Sequence, residues 1–214
     1  MPSASRTLPS LSAQAERLIE LGVHCIVDLS ADHIRSVSRT VQEPALLVVH
    51  HNLAPASALA PLLRHGDKPG FVVRDMTDVD EFAPIGPVDV PDESLYLIRD
   101  LDRGDAMTNW SPDEALPAIA DAGRTPLTLT EGLHWLLQRP EVLERGHCFM
   151  TIGSRLRKAS GALDARTPAI WISNGTGRDG AANRDAPKVG WCWAGNRHTW
   201  LGFGSAGARL SVAG

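Results

Sequence analysis

Apolar positions along the chain follow a helical period first, then short continuous runs, then strands. Leu11, Ala15, Leu18 and Ile19 recur at helical spacing and predict a helix over 11–21, with Gly22 as its stop. A second helix is expected after Ser30 as N-cap, carrying Ile34, Val37 and Val41 on one face. Apolar runs at 45–50, 71–74 and 95–99 read as strands, and 55–63 as a short helix. Strand, helix, strand in this order predicts parallel pairing through a right-handed crossover. Two helices with marked starts follow. Ser111-Pro112-Asp113-Glu114 and Thr128…Glu131 both have capping-box spacing. Pro117 predicts a bend in the first, which Gly123 ends. Leu129, Leu133, Leu136 and Leu137 give the second an apolar face before Pro140.

From 146 onward the pattern changes. Residues 148–152, 169–173, 189–194 and 199–203 read as strands separated by Gly- and Arg-rich loops, an expected antiparallel meander. The fold class is therefore mixed α/β: a sheet with flanking helices, extended by a C-terminal β-meander. Residues 1–10 read as a flexible lead. Residues 11–214 read as one globular domain, with an α/β portion over 11–145 and a β-rich portion over 146–214.

Composition narrows this picture only a little. The 214 residues are 43% hydrophobic and 21% charged, with a formal net charge of -4. That is an ordinary globular balance, and it disfavours a general nucleic-acid binder, which shows a basic stripe. No apolar run approaches the roughly 18 residues of a membrane span. The N-terminus lacks the apolar centre of a signal peptide. Cys25, Cys148 and Cys192 are few and widely spaced, so each reads as a small buried residue outside any disulfide framework. A cytoplasmic setting is expected.

Several chemical motifs fail on their context. Gly175-Thr176-Gly177-Arg178-Asp179-Gly180 matches G-x-G-x-x-G after an expected strand, but 181–188 has no helical period and contains Pro187. Without a helix N-terminus to face a pyrophosphate, the segment reads as a hairpin connection. A backbone nest that holds an anion with help from Arg178 stays open. The 100–111 segment does not complete a calcium loop, because Ser111 stands where glutamate is required. No C-x-x-C or H-E-x-x-H occurs. His50-His51 and His147-Cys148 are adjacent residues on expected strands, so their side chains should diverge. No metal site is expected, and no cofactor is named. Residues 21–30 resemble half of a helix–hairpin–helix, without the glycine hairpin that grips phosphate.

One segment concentrates side chains suited to recognition. Residues 190–202 hold three of the six tryptophans. Gly195-Asn196 is a good two-residue turn. In that register Trp193 stands opposite His198 and Trp191 opposite Trp200, so the four share one face. The face is either core or site. As a site, Trp191, Trp193, His198 and Trp200 line a small-molecule pocket. His198 is then the acid–base candidate, with Asn196, Arg197 and Arg178 as polar and anion-binding partners. The expected function is binding or conversion of a polar or aromatic metabolite. The alternatives are a protein-interaction surface on the tryptophan hairpin and, more weakly, nucleic-acid contact. The oligomeric state stays open.

The runs at 110–117, 171–180 and 190–202 resemble an uncharacterised protein family common in actinobacteria. The resemblance covers most of the chain. It implies a bacterial cytoplasmic protein, and it brings no activity, cofactor or site residue.

Overall fold

The computed structural model describes residues 7–39 and 44–212. The predicted helix starts form as written. In α1 (Leu11–Glu20) the Ser10 hydroxyl accepts the Ala13 N–H at 3.2 Å, and Leu11, Ala15 and Leu18 are buried. Gly22, at φ +74°, turns the chain into the short α2 (Val23–Ile26). Ser30 caps α3 (Ala31–Val37); Val41 lies outside the described residues. The 55–63 segment folds as α4 (Ala56–Leu59) and a 3₁₀ turn over Ala60–Leu62. Both capping boxes close, on α5 (Pro112–Asp121) and α6 (Leu129–Gln138). Pro117 sits inside α5 and removes one helical hydrogen bond without ending it.

The strands assemble differently from the expectation. Apart from three two-stranded pairings, the strands build two larger sheets from β1 (Leu46–Val49), β2 (Phe71–Val72), β3 (Leu95–Arg99), β4 (Cys148–Met150), β5 (Arg166–Ile172), β6 (Pro187–Trp193), β7 (Leu201–Phe203) and β8 (Ala208–Ser211). One antiparallel sheet has the order β1-β3-β8, with Val49 opposite Leu95. The other has the order β7-β4-β5-β6-β2. The expected parallel crossover between β1 and β2 is thus not made. Strand β1 takes β3 as its antiparallel neighbour, and β2 runs parallel to β6 in the second sheet. The C-terminal meander is partial. Strands β4, β5 and β6 are antiparallel neighbours, but β7 lies parallel to β4. The fold class is mixed α+β, as the sequence pattern indicates.

Helix α6 joins the two sheets. Every one of its ten residues is buried, so the single apolar face read from its leucines is too narrow. A Cβ at Gly132 would stand 2.6 Å from Thr151 Cγ2 and 3.2 Å from Phe149 Cε2, which places the helix hard against the five-stranded sheet. On the other sheet, the Val49 N–H donates to His134 Nε2 at 3.3 Å, while His134 Nδ1 lies 2.8 Å from the Thr130 carbonyl. The helix can carry Glu131 and His134 here because both are paired, whereas the buried Trp135 Nε1 has no partner. Glu131, fully buried, accepts from Arg209 Nε at 2.6 Å and from Tyr96 Oη at 2.9 Å.

Candidate functional site

The site grows from the β5–β6 hairpin. Its register sets Trp171 opposite Lys188, so both side chains leave the same face. Lys188 Nζ lies 4.3 Å from the Trp171 ring centroid. Gly190, one position further on that face, makes room for the ring. A Cβ there would stand 2.8 Å from Trp171 Cη2.

The glycine loop between the strands is folded by its own side chains. The Gly175 N–H donates to Ser173 Oγ at 3.0 Å, and Ser173 Oγ donates to Asp179 Oδ2 at 2.8 Å. Asn183 Nδ2 donates to the Asp179 carbonyl at 2.8 Å. Gly175 is required, because its φ is +69° and a Cβ would press on Arg184 at 2.6 Å. These contacts hold Asp179 in place to accept from Lys188 Nζ at 2.5 Å. Both members of the pair are buried, and burial lowers the lysine pKa while the Asp179 carboxylate opposes that shift.

A cavity of about 500 Å³ opens over this hairpin. Arg145, Arg178 and Lys188 supply cations to its wall, Trp171 and Trp200 supply indoles, and Asp179 is the one carboxylate. The two tryptophans meet edge to face, with centroids 6.0 Å apart. Arg145 is held by Asn174 and Asp185, and Arg178 donates to Asp75 Oδ2 at 2.6 Å. Asp75 and Asp185 lie outside the lining. Cys148 also faces the cavity, but burial pushes its thiol up to about 11, so it is protonated at neutral pH.

The tryptophan hairpin predicted around Gly195-Asn196 does not form. Trp193 stands opposite Arg166 and Trp191 opposite Pro168, across β5. Strand β6 is paired with β5 along its length and with β2 at Lys188 and Val189. The returning chain pairs instead with β4, in parallel, through Leu201–Phe203. Asn196 still turns the chain, with its N–H donating to the Trp193 carbonyl at 3.0 Å. The 194–198 carbonyls are used elsewhere: Ala194 accepts from the Asp113 N–H and His198 from the Asn109 N–H.

The sequence-derived site residues consequently separate. Arg178 and Trp200 line the cavity. Trp191 is half-buried beneath the Arg178 guanidinium, 4.8 Å from its ring centroid. Trp193 is 48% exposed and meets Trp191 edge to face at 4.6 Å. Arg197 pairs with Glu114 on the surface. His198 does not line the cavity; its ring lies 5.2 Å from that of Trp200. Burial lowers its pKa, and its buried Nε2 has no partner. Trp171, Lys188, Asp179 and Arg145 were missed. The signal was the hairpin reading of the glycine loop, which brings Trp171 and Lys188 face to face once strand lengths are assigned.

His50 and His51 do not diverge as expected. Strand β1 ends at Val49, and in the turn that follows the two rings stand 4.2 Å apart. His51 lines a second cavity of about 300 Å³ with Asp80 and Thr130. Among the described residues no three His, Cys, Asp or Glu side chains converge as metal ligands would. No helix among them is long and apolar enough to cross a membrane.

Fold and cavity together define a mixed α+β protein with one cation- and indole-lined concavity beside a two-sheet core. The chain belongs to a family of unknown function (DUF5701), whose model matches residues 17–212 and so spans the whole cavity wall. Neither the curated proteins nor the solved structures offer a match.

Proposed function

We propose that the protein binds a small metabolite carrying an anionic group and a flat apolar part, in the cavity over the β5–β6 hairpin. One observation carries this reading: three cations and two indoles converge on about 500 Å³ with a single carboxylate among them. That volume lies in the range of small-molecule sites. Indole walls suit a planar group, and guanidinium forks suit carboxylate or phosphate. In this reading Trp200 and Arg178 contact the ligand, Trp191 supports Arg178, and His198 supports Trp200. The three cysteines, all free, fit a reducing cytoplasm, and the sequence resemblance fits a bacterial one.

A thermal-shift series tests the reading with benzoate and phenyl phosphate against benzyl alcohol and phenol. The anions are expected to raise Tm by a few degrees and the neutral analogues are not. Arg178→Gln should weaken the anions about tenfold, as loss of a charge-assisted contact does. Equal shifts from neutral and anionic members would refute it. A second reading rests on Trp193 and Trp110, 48% and 40% exposed, as anchors for a protein partner. It requires that Trp193→Ser abolish a complex seen with the unaltered chain by sedimentation.

A further inference from the structure

The choice of cation at the cavity floor points to chemistry. The chain holds 21 basic residues, of which Lys68, Lys158 and Lys188 are the only lysines. Lys68 and Lys158 are exposed, and Lys188 is buried. Where this protein buries a cation as a brace, it uses arginine. Arg209 engages Glu131, Thr125 and the Pro126 carbonyl, and Arg103 engages Asp105 and the Val142 carbonyl. A guanidinium fills such a site because it forms several fixed hydrogen bonds. Lys188 forms a single hydrogen bond, to Asp179, and its other N–H bonds have no acceptor among the described residues. An ammonium is a poor brace, but its amine can act as a nucleophile when it is desolvated beside an acid–base group.

Resting on the anion-binding reading above, we infer that Lys188 forms a Schiff base with an aldehyde or ketone carried by the anionic ligand. Asp179 receives a proton from the Lys188 ammonium, across the existing 2.5 Å contact. The freed amine attacks the carbonyl carbon, and a C–N bond forms as the carbonyl π pair moves to oxygen. Asp179 returns the proton to that oxygen, giving a hydroxyl, then takes a second proton from the carbinolamine nitrogen and passes it to the hydroxyl, which leaves as water while the nitrogen lone pair forms the C=N bond. Ammonium and carbonyl compound thus become protonated imine and water, with no change in oxidation state. Ser173, donating to the other Asp179 oxygen at 2.8 Å, holds the carboxylate for these transfers. Trp171 covers the amine and keeps bulk water away from it.

The experiment is reductive trapping. The full chain is incubated at pH 7 with 4-carboxybenzaldehyde and cyanoborohydride, and labelled peptides are mapped by mass spectrometry. Lys188 is expected to label at least tenfold faster than Lys68 or Lys158, and excess 4-methylbenzoate should slow that labelling alone. Lys188→Arg keeps the charge at this position and should remove the fast label. Label confined to Lys68, Lys158 and the α-amine would overturn the inference. In that case a Tm increase with 4-methylbenzoate leaves the binding reading standing, and no increase removes both.

Discussion

Two buried ion pairs in this protein look alike in a list of contacts and differ in what surrounds them. Arg209–Glu131 ties β8 to α6, with both side chains nearly or fully buried. Lys188–Asp179 ties β6 to the glycine loop, with similarly low exposure. In the first pair the groups are nearly saturated, with four of the five Arg209 N–H bonds donating. Arg209 also donates to Thr125 and to the Pro126 carbonyl, and Glu131 also accepts from Tyr96 and the Thr128 N–H. Every one of these bonds except the Thr128 capping contact spans elements distant in sequence. In the second pair the ammonium has hydrogen-bonding capacity to spare and faces a cavity. Saturation marks a brace, and spare capacity beside a void marks a site.

The sharpest way to break this contrast is to remove one member of the brace. Glu131→Ala strands Arg209, the Tyr96 hydroxyl and the Thr128 N–H, and is expected to cost about 3–5 kcal/mol in urea melts. A loss under 1 kcal/mol would mean that the network does not brace the sheets. The next effect is a pH dependence seated on the same helix. Burial holds the His134 imidazole at about 4 in the native state, against about 6.5 for an unfolded chain. Between those values the unfolded state takes a proton that the native state refuses. Stability is then complete above 6.5 and falls as pH drops toward 4, by about 3 kcal/mol. His134→Gln should flatten that slope. Smaller again is Gly132→Ala, which pushes a methyl into Thr151 and Phe149; about 1–3 kcal/mol is expected from overpacking.

How much of this was legible beforehand divides along local and non-local lines. The helix starts at Ser30, Ser111 and Thr128 could be read because a cap is a contact three residues long, whereas the Ser10 cap went unread inside the expected flexible lead. Strand positions at 45–50, 95–99 and 169–173 were also visible as apolar runs, and they fall on β1, β3 and β5. Pairing was not, because which edge is free depends on every other strand. Gly195-Asn196 carried a sound turn signal, but the returning chain pairs with β4 rather than with β6. The glycine fingerprint was set aside for want of a following helix, and the chain after it forms only a 3₁₀ turn over Ala181–Asn183 before β6. Arg178 was named as an anion-binding candidate, but rejecting that motif hid Asp179, which the same loop places beside it on a cavity wall. Lys188 drew no attention as a lone lysine, since burial of one charge is invisible until its partner is in place.

The least expected stability effect is at the second pair. Lys188→Met with Asp179→Asn removes both charges and retains a partner for Ser173, so Tm should change little, by less than about 1 kcal/mol in stability. Titration calorimetry of this double variant with phenyl phosphate, beside its melting curve, tests the central claim most directly. The account predicts an intact fold and an affinity reduced at least tenfold from the unaltered protein. A variant that binds phenyl phosphate undiminished but unfolds as readily as Glu131→Ala would contradict it.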